Sequence, residues 1–94
     1  MEHTRTGGRL YVRLERDFNL LTARRIERLA RDADAVVLDL AATRLVDTEA
    51  LALIDRLRRG GAAVRLRHPP PIFFEILRLL ELEDHFAPAT LVEP

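Results

Sequence analysis

Apolar and polar residues change rhythm several times along this chain of 94 residues, and each rhythm predicts an element. In LYVRLE, residues 10–15, the two kinds alternate, as they do in a strand with one buried face. RDFNLL follows and reads as a turn or short strand. From Thr22 the period lengthens: Ala23, Ile26, Leu29 and Ala30 fall on one face, with Arg24, Arg25, Glu27, Arg28 and Arg31 around the rest. That is an amphipathic helix, with Thr22 as its expected N-cap and DAD at 32–34 as its stop. AVVLDL, residues 35–40, is continuously apolar and rich in branched side chains up to its acid, which predicts a central strand covered on both faces.

The second half repeats the alternation. RLVDTEALALI, residues 44–54, passes from an extended segment into a helix that runs to about Arg59, where Gly60 and Gly61 signal its C-terminal end. AAVRLR at 62–67 is another strand. Pro69, Pro70 and Pro71 hold the chain extended and permit a helix to begin at the last of them. IFFEILRLLELEDHF at 72–86 is strongly helical, and ATLV at 89–92 suits a short edge strand. Strands alternating with helices predict an α/β layer structure. The early strand turning back before the first helix makes the sheet mixed. Residues 1–9 are expected to be a flexible tail, and residues 10–94 the folded domain.

Composition narrows the function classes. With 48% hydrophobic residues, a chain this short supports one core that buries roughly 60–65% of the unfolded surface. Fifteen basic and fifteen acidic residues cancel, so no overall field draws the molecule to nucleic acid or an anionic membrane. Every basic residue is arginine, yet the arginines are spread from Arg5 to Arg78 rather than gathered around a phosphate site. Without cysteine there is no thiol chemistry, disulfide or cysteine-based zinc site. No apolar run reaches membrane-spanning length, and the start lacks a signal-peptide core, so a cytoplasmic location is expected.

Catalytic constellations are thin. His3, His68 and His85 lack metal-ligand spacing. Asp39 and Asp47 could meet at a strand end, but neither an activated nucleophile nor a phosphate-cradling glycine loop accompanies them. The arginines of DRLRRGG read as a solvated helix face, with no aromatic residues among them to stack bases. A non-enzyme without a cofactor is expected. In DTEA the simplest account is helix capping: Asp47 or Thr48 accepts from the free amides of the first turn, worth about 1 kcal/mol. Glu49 then adds a few tenths beside the positive end of the helix dipole.

The ordered series of segments says more than any one of them. VVLDLAATRLVDTEALALIDRLRRGGAAVRLRHPPPIFFEILRLLELEDHF resembles STAS domains, the anti-sigma-factor antagonist family. In that family a "vvlDls" strand leads to "D-S/T-x-G/A-L", a helix, a strand and a Pro-led helix. LERDFNLLTA matches the family's early register, with Leu14, Thr22 and Ala23 in place, so the likeness covers about residues 10–92. It departs at Arg16, Asn19, Glu49, Ala50 and Glu81, where the family favours Gly, Asp, a second hydroxyl, Gly and Gly.

The resemblance implies a single STAS-like domain, a mixed sheet of four to five strands with about three helices. It further implies a regulatory binding module whose partner is an anti-sigma factor that is also a serine kinase. Thr48 would accept phosphate, with Asp47, Glu49, Ala50, Leu51, Asp55 and Arg58 as motif and partner-binding residues. Ala50, Leu53, Ile54 and Leu57 would form that helix's buried stripe. STAS domains in other settings leave two alternatives: a subunit docking on the ATPase of a phospholipid-transport ABC complex, where Thr48 is an unmodified contact, or a scaffold of a larger signalling complex. The broad apolar surface of the last helix adds a homodimer contact, with Phe74 beside the stripe, as a further option.

Overall fold

The computed structural model describes residues 1–81 and the strand at 90–93. Its elements are β1 (Glu2–Thr6), β2 (Arg9–Arg13), β3 (Asp17–Phe18), α1 (Leu20–Leu29), β4 (Ala35–Asp39), β5 (Leu45–Val46), α2 (Thr48–Arg59), β6 (Ala63–Arg67), α3 (Pro71–Leu79) and β7 (Thr90–Glu93). Five strands form one sheet in the order β1-β2-β4-β6-β7, antiparallel at β1 and parallel elsewhere, while β3 and β5 pair as a separate two-stranded ribbon. The α/β class and the mixed sheet agree with the reading of the sequence.

The start of the chain corrects it. Glu2–Thr6, expected to be a flexible tail, is an edge strand paired residue by residue with β2. Its side chains are all exposed, so no apolar signal marked it. What holds it is backbone pairing through the Gly7-Gly8 turn, where Gly7 takes φ +60°. A glycine at the first turn position is the usual requirement of such a hairpin.

Leu10, Val12, Val36, Leu38, Val64 and Leu66 point to one side of the sheet. There they join Ala23 and Ile26 of α1, Ala50, Leu51, Leu53 and Ile54 of α2, and Phe73 and Leu77 of α3 in a single core. The three helices therefore share one face. β4 was expected to be covered on both; instead its second face carries Val37, which lies between Tyr11 and Arg65 in register. Those longer neighbours flank Val37, which is fully buried, and among the described residues no helix covers this face. That face ends in a row of Arg13, Asp39 and Arg67, opposite charges side by side across three strands.

Helix ends follow local chemistry. Asn19, not Thr22, caps α1: its Oδ1 accepts from the Thr22 amide at 3.0 Å. The pattern-based boundary lay three residues late because Leu20 and Leu21 do not follow the buried stripe. At the end of α2, Gly61 has φ +99°, its amide donates to Arg58 O, and Ala62 N donates to Leu57 O. This paired closure is the expected glycine stop. The helix expected over 72–86 begins at Pro71 and closes at Leu79; positions 82–86, with Leu82, lie outside the described residues.

Candidate functional site

The site is built where the β3–β5 ribbon hands the chain to α2. Arg44 and Leu45 amides donate to Arg16 O at 2.8 and 3.1 Å, and the buried Thr43 hydroxyl donates to Glu15 O at 3.0 Å. These bonds fasten the loop after β4 to the loop before α1. The Asp47 amide then donates to Phe18 O at 2.9 Å, which holds Asp47 extended at φ −87° and ψ 148°. That is the conformation an N-cap needs. Its Oδ1 accepts from the Glu49 amide at 3.1 Å, and Thr48 becomes the first helical residue.

Thr48 is exposed, and its Oγ1 lies 3.5 Å from Asp47 Oδ1, a long contact that leaves the hydroxyl open to solvent. Glu49 and Asp47 are exposed on either side. A hydroxyl is thus presented at a helix N-terminus, flanked by two carboxylates and beside a cap that does not use it.

The predicted helix face needs correction. Leu51, offered as an outward contact, is 1% exposed and part of the core, as Ala50 is. α2 packs against both α1 and β6, so its apolar arc spans Ala50, Leu51, Leu53 and Ile54, with Leu57 half-buried. Asp55 and Arg58 are half-buried too; Asp55 pairs with Arg59 at 3.0 Å and approaches Arg58 at 3.7 Å. The side turned outward carries Thr48, Glu49, Arg56 and Arg59, with Ala52 half-buried. Arg56 forms an ion pair with Glu27 of α1 at 3.1 Å.

Beside Thr48 the structure opens a groove that pattern reading missed. Asp17, Asn19, Leu45, Asp47, Ile72 and Ile76 line a volume of about 440 Å³, within the usual range of about 300–1,000 Å³ for ligand clefts. Leu45 is 55% exposed there, across the ribbon from the exposed Asp17. No periodicity signals it, because a two-residue strand has too few positions to show one. Phe74, on a different side of α3 from the Phe73 core position, is 44% exposed and meets Phe73 edge to face with ring centroids 5.9 Å apart.

Asp39 and Asp47 serve different ends. Asp39, 8% exposed at the end of β4, accepts from Tyr11 Oη at 2.8 Å and Ala41 N at 3.0 Å. Burial pushes its pKa up, but the Ala41 amide, the Tyr11 hydroxyl and the charges of His68 and Arg13 together hold it below the usual carboxylate value. The Arg67 guanidinium sits over the Tyr11 ring at 5.4 Å. Asp39 thus ties together the sheet face that carries Tyr11 and Val37, whereas Asp47 caps α2. Among the described residues no group of three or more His, Cys, Asp or Glu side chains could hold a metal ion, and no helix is long and apolar enough to cross a membrane.

No family model matches the chain, and no curated protein sequence does. A solved structure does: that of the anti-sigma factor antagonist SpoIIAA in its unphosphorylated form, with a TM-score of 0.74 over 99% of this chain and 87% of that one. Sequence identity is 12%. At that identity the likeness is one of fold, and the fold is that of a STAS-like domain.

Proposed function

We propose that this protein is a non-catalytic regulatory module of the anti-sigma factor antagonist type. It docks a partner protein over the N-terminus of α2, and phosphorylation of Thr48 controls that docking. The partner in this reading is an anti-sigma factor with serine/threonine kinase activity. The observation that carries the proposal is the exposure of the Thr48 hydroxyl at the first position of α2, with the cap supplied by Asp47 alone. The SpoIIAA fold supports the regulatory class.

The chemistry of the switch follows from charge. The Thr48 oxygen attacks the γ-phosphorus of a nucleoside triphosphate, its proton passes to a base on the kinase, and the diphosphate leaves. The product carries a charge of about −1.5 to −2 at neutral pH. The helix N-terminus favours that charge, so the fold tolerates it. Docking, however, must now strip water from a dianion where it previously covered a neutral hydroxyl, and this opposes the complex.

A phosphate-retarding gel tests the proposal. The protein incubated with ATP and cell lysate is expected to show a slower band that Thr48→Ala lacks. The absence of any Thr48-dependent band in all growth conditions would refute the switch. Co-purification of a transport ATPase, with Thr48→Ala binding it equally well, would point to the transporter role.

A further inference from the structure

We infer that the groove beside Thr48 seats a large apolar side chain of the partner, and that basic residues flank this side chain. The inference rests on the reading of the α2 N-terminus as a docking face and adds the partner's chemistry to it. Leu45 of β5 and Ile72 and Ile76 of α3 supply apolar walls, and the last two stand one turn apart on the same side of the helix. Asp17 and Asp47 stand at the same groove. Among the described residues the lining contains no arginine or histidine.

The sign of the local potential is settled by comparing charges. The first turns of α1, α2 and α3 all approach the groove, through Asn19, Asp47 and Ile72. Each N-terminus contributes roughly half a positive charge, and those of α1 and α2 are already answered by their caps. The two full carboxylate charges of Asp17 and Asp47 exceed what these partly answered dipoles leave, so the described lining is net acidic. An apolar cleft with an acidic rim is complementary to an amphipathic segment bearing one apolar anchor and arginine or lysine beside it. An acidic segment would meet like charge there.

The whole chain, ¹⁵N-labelled, can be titrated with three short helical peptides: leucine with arginine, leucine with glutamate, and serine with arginine. The first is expected to shift the amides of Asp17, Leu45, Ile72 and Ile76, and the other two to leave them in place. Leu45→Ser, at an exposed position, should weaken the first peptide about tenfold, equivalent to about 1.4 kcal/mol. Asp17→Asn should reduce the salt dependence of binding while leaving the spectrum otherwise native. Equal binding of the glutamate peptide, shifts confined to other surfaces, or an unaffected Leu45→Ser variant would overturn the assignment. Concentration-dependent shifts of the same amides without peptide would assign the groove to a second copy instead, and so overturn it too. A Thr48-dependent gel band with a silent groove would sink this inference and leave the phosphorylation reading standing.

Discussion

Removing the Asp47 carboxylate separates what holds the site together from what the site does. Its Oδ1 accepts one amide hydrogen bond, from Glu49 at 3.1 Å, on an exposed helix start. Replacement of such a cap by alanine costs about 1 kcal/mol. For a domain of this size that lowers Tm by roughly 4–8 °C. Asp47→Asn keeps an acceptor and loses only the charge–dipole part, a few tenths of a kcal/mol. Thr48→Ala removes a hydroxyl whose one side-chain contact is 3.5 Å long, so it should stay within about 0.5 kcal/mol of the parent. Urea titration of the three variants beside the parent checks the order, and hydrogen exchange at the Glu49 amide should speed up in Asp47→Ala alone. If Asp47→Asn falls as far as Asp47→Ala, charge rather than capping is responsible. If Thr48→Ala falls furthest, the hydroxyl is structural and its free presentation is disproved.

Further outcomes follow from the same geometry. Leu51→Ala should cost about 2–5 kcal/mol because Leu51 is 1% exposed, whereas Glu49→Ala should stay near neutral; equal effects in thermal melts would put Leu51 back on the surface. Tyr11→Phe deletes a donor to Asp39 and should cost about 1.5–3 kcal/mol at neutral pH. Since the pKa of Asp39 is lowered in the fold, its contribution is present above the ordinary carboxylate value of about 3.9 and is lost as pH falls through the lowered one. The gap between Tyr11→Phe and the parent should therefore narrow in acid; a gap that widens would contradict the assigned role. Phe74→Glu should keep the fold while losing an edge contact worth about 1 kcal/mol, and it should weaken any self-association seen in sedimentation.

The elements legible in the sequence were those with enough residues to display a period. β2, β4, β6 and the helices α1 to α3 all declare themselves by spacing, and the glycines after α2 close it as composition suggests. β1 was hidden because its five side chains are all exposed and it is held by backbone pairing, which leaves no apolar trace. Asp47 and Thr48 were legible as a helix start because capping is local chemistry. Which face of α2 looks outward was not, since contact with both α1 and β6 widened the apolar arc to include Leu51 and left the exposed stripe to Thr48, Glu49, Arg56 and Arg59. The groove at Leu45 depends on three segments meeting, Asp17 to Asn19, Leu45 to Asp47, and Ile72 to Ile76, and no single window of sequence contains it.

In the proposed switch the Thr48 oxygen is the gate of a docking surface. Its most direct test is phosphate occupancy at residue 48, measured by mass spectrometry on two pools of the native protein, one captured with its partner and one free. Phosphothreonine is expected in the free pool and an unmodified side chain in the bound pool. Equal occupancy in both, or none in either, would contradict it.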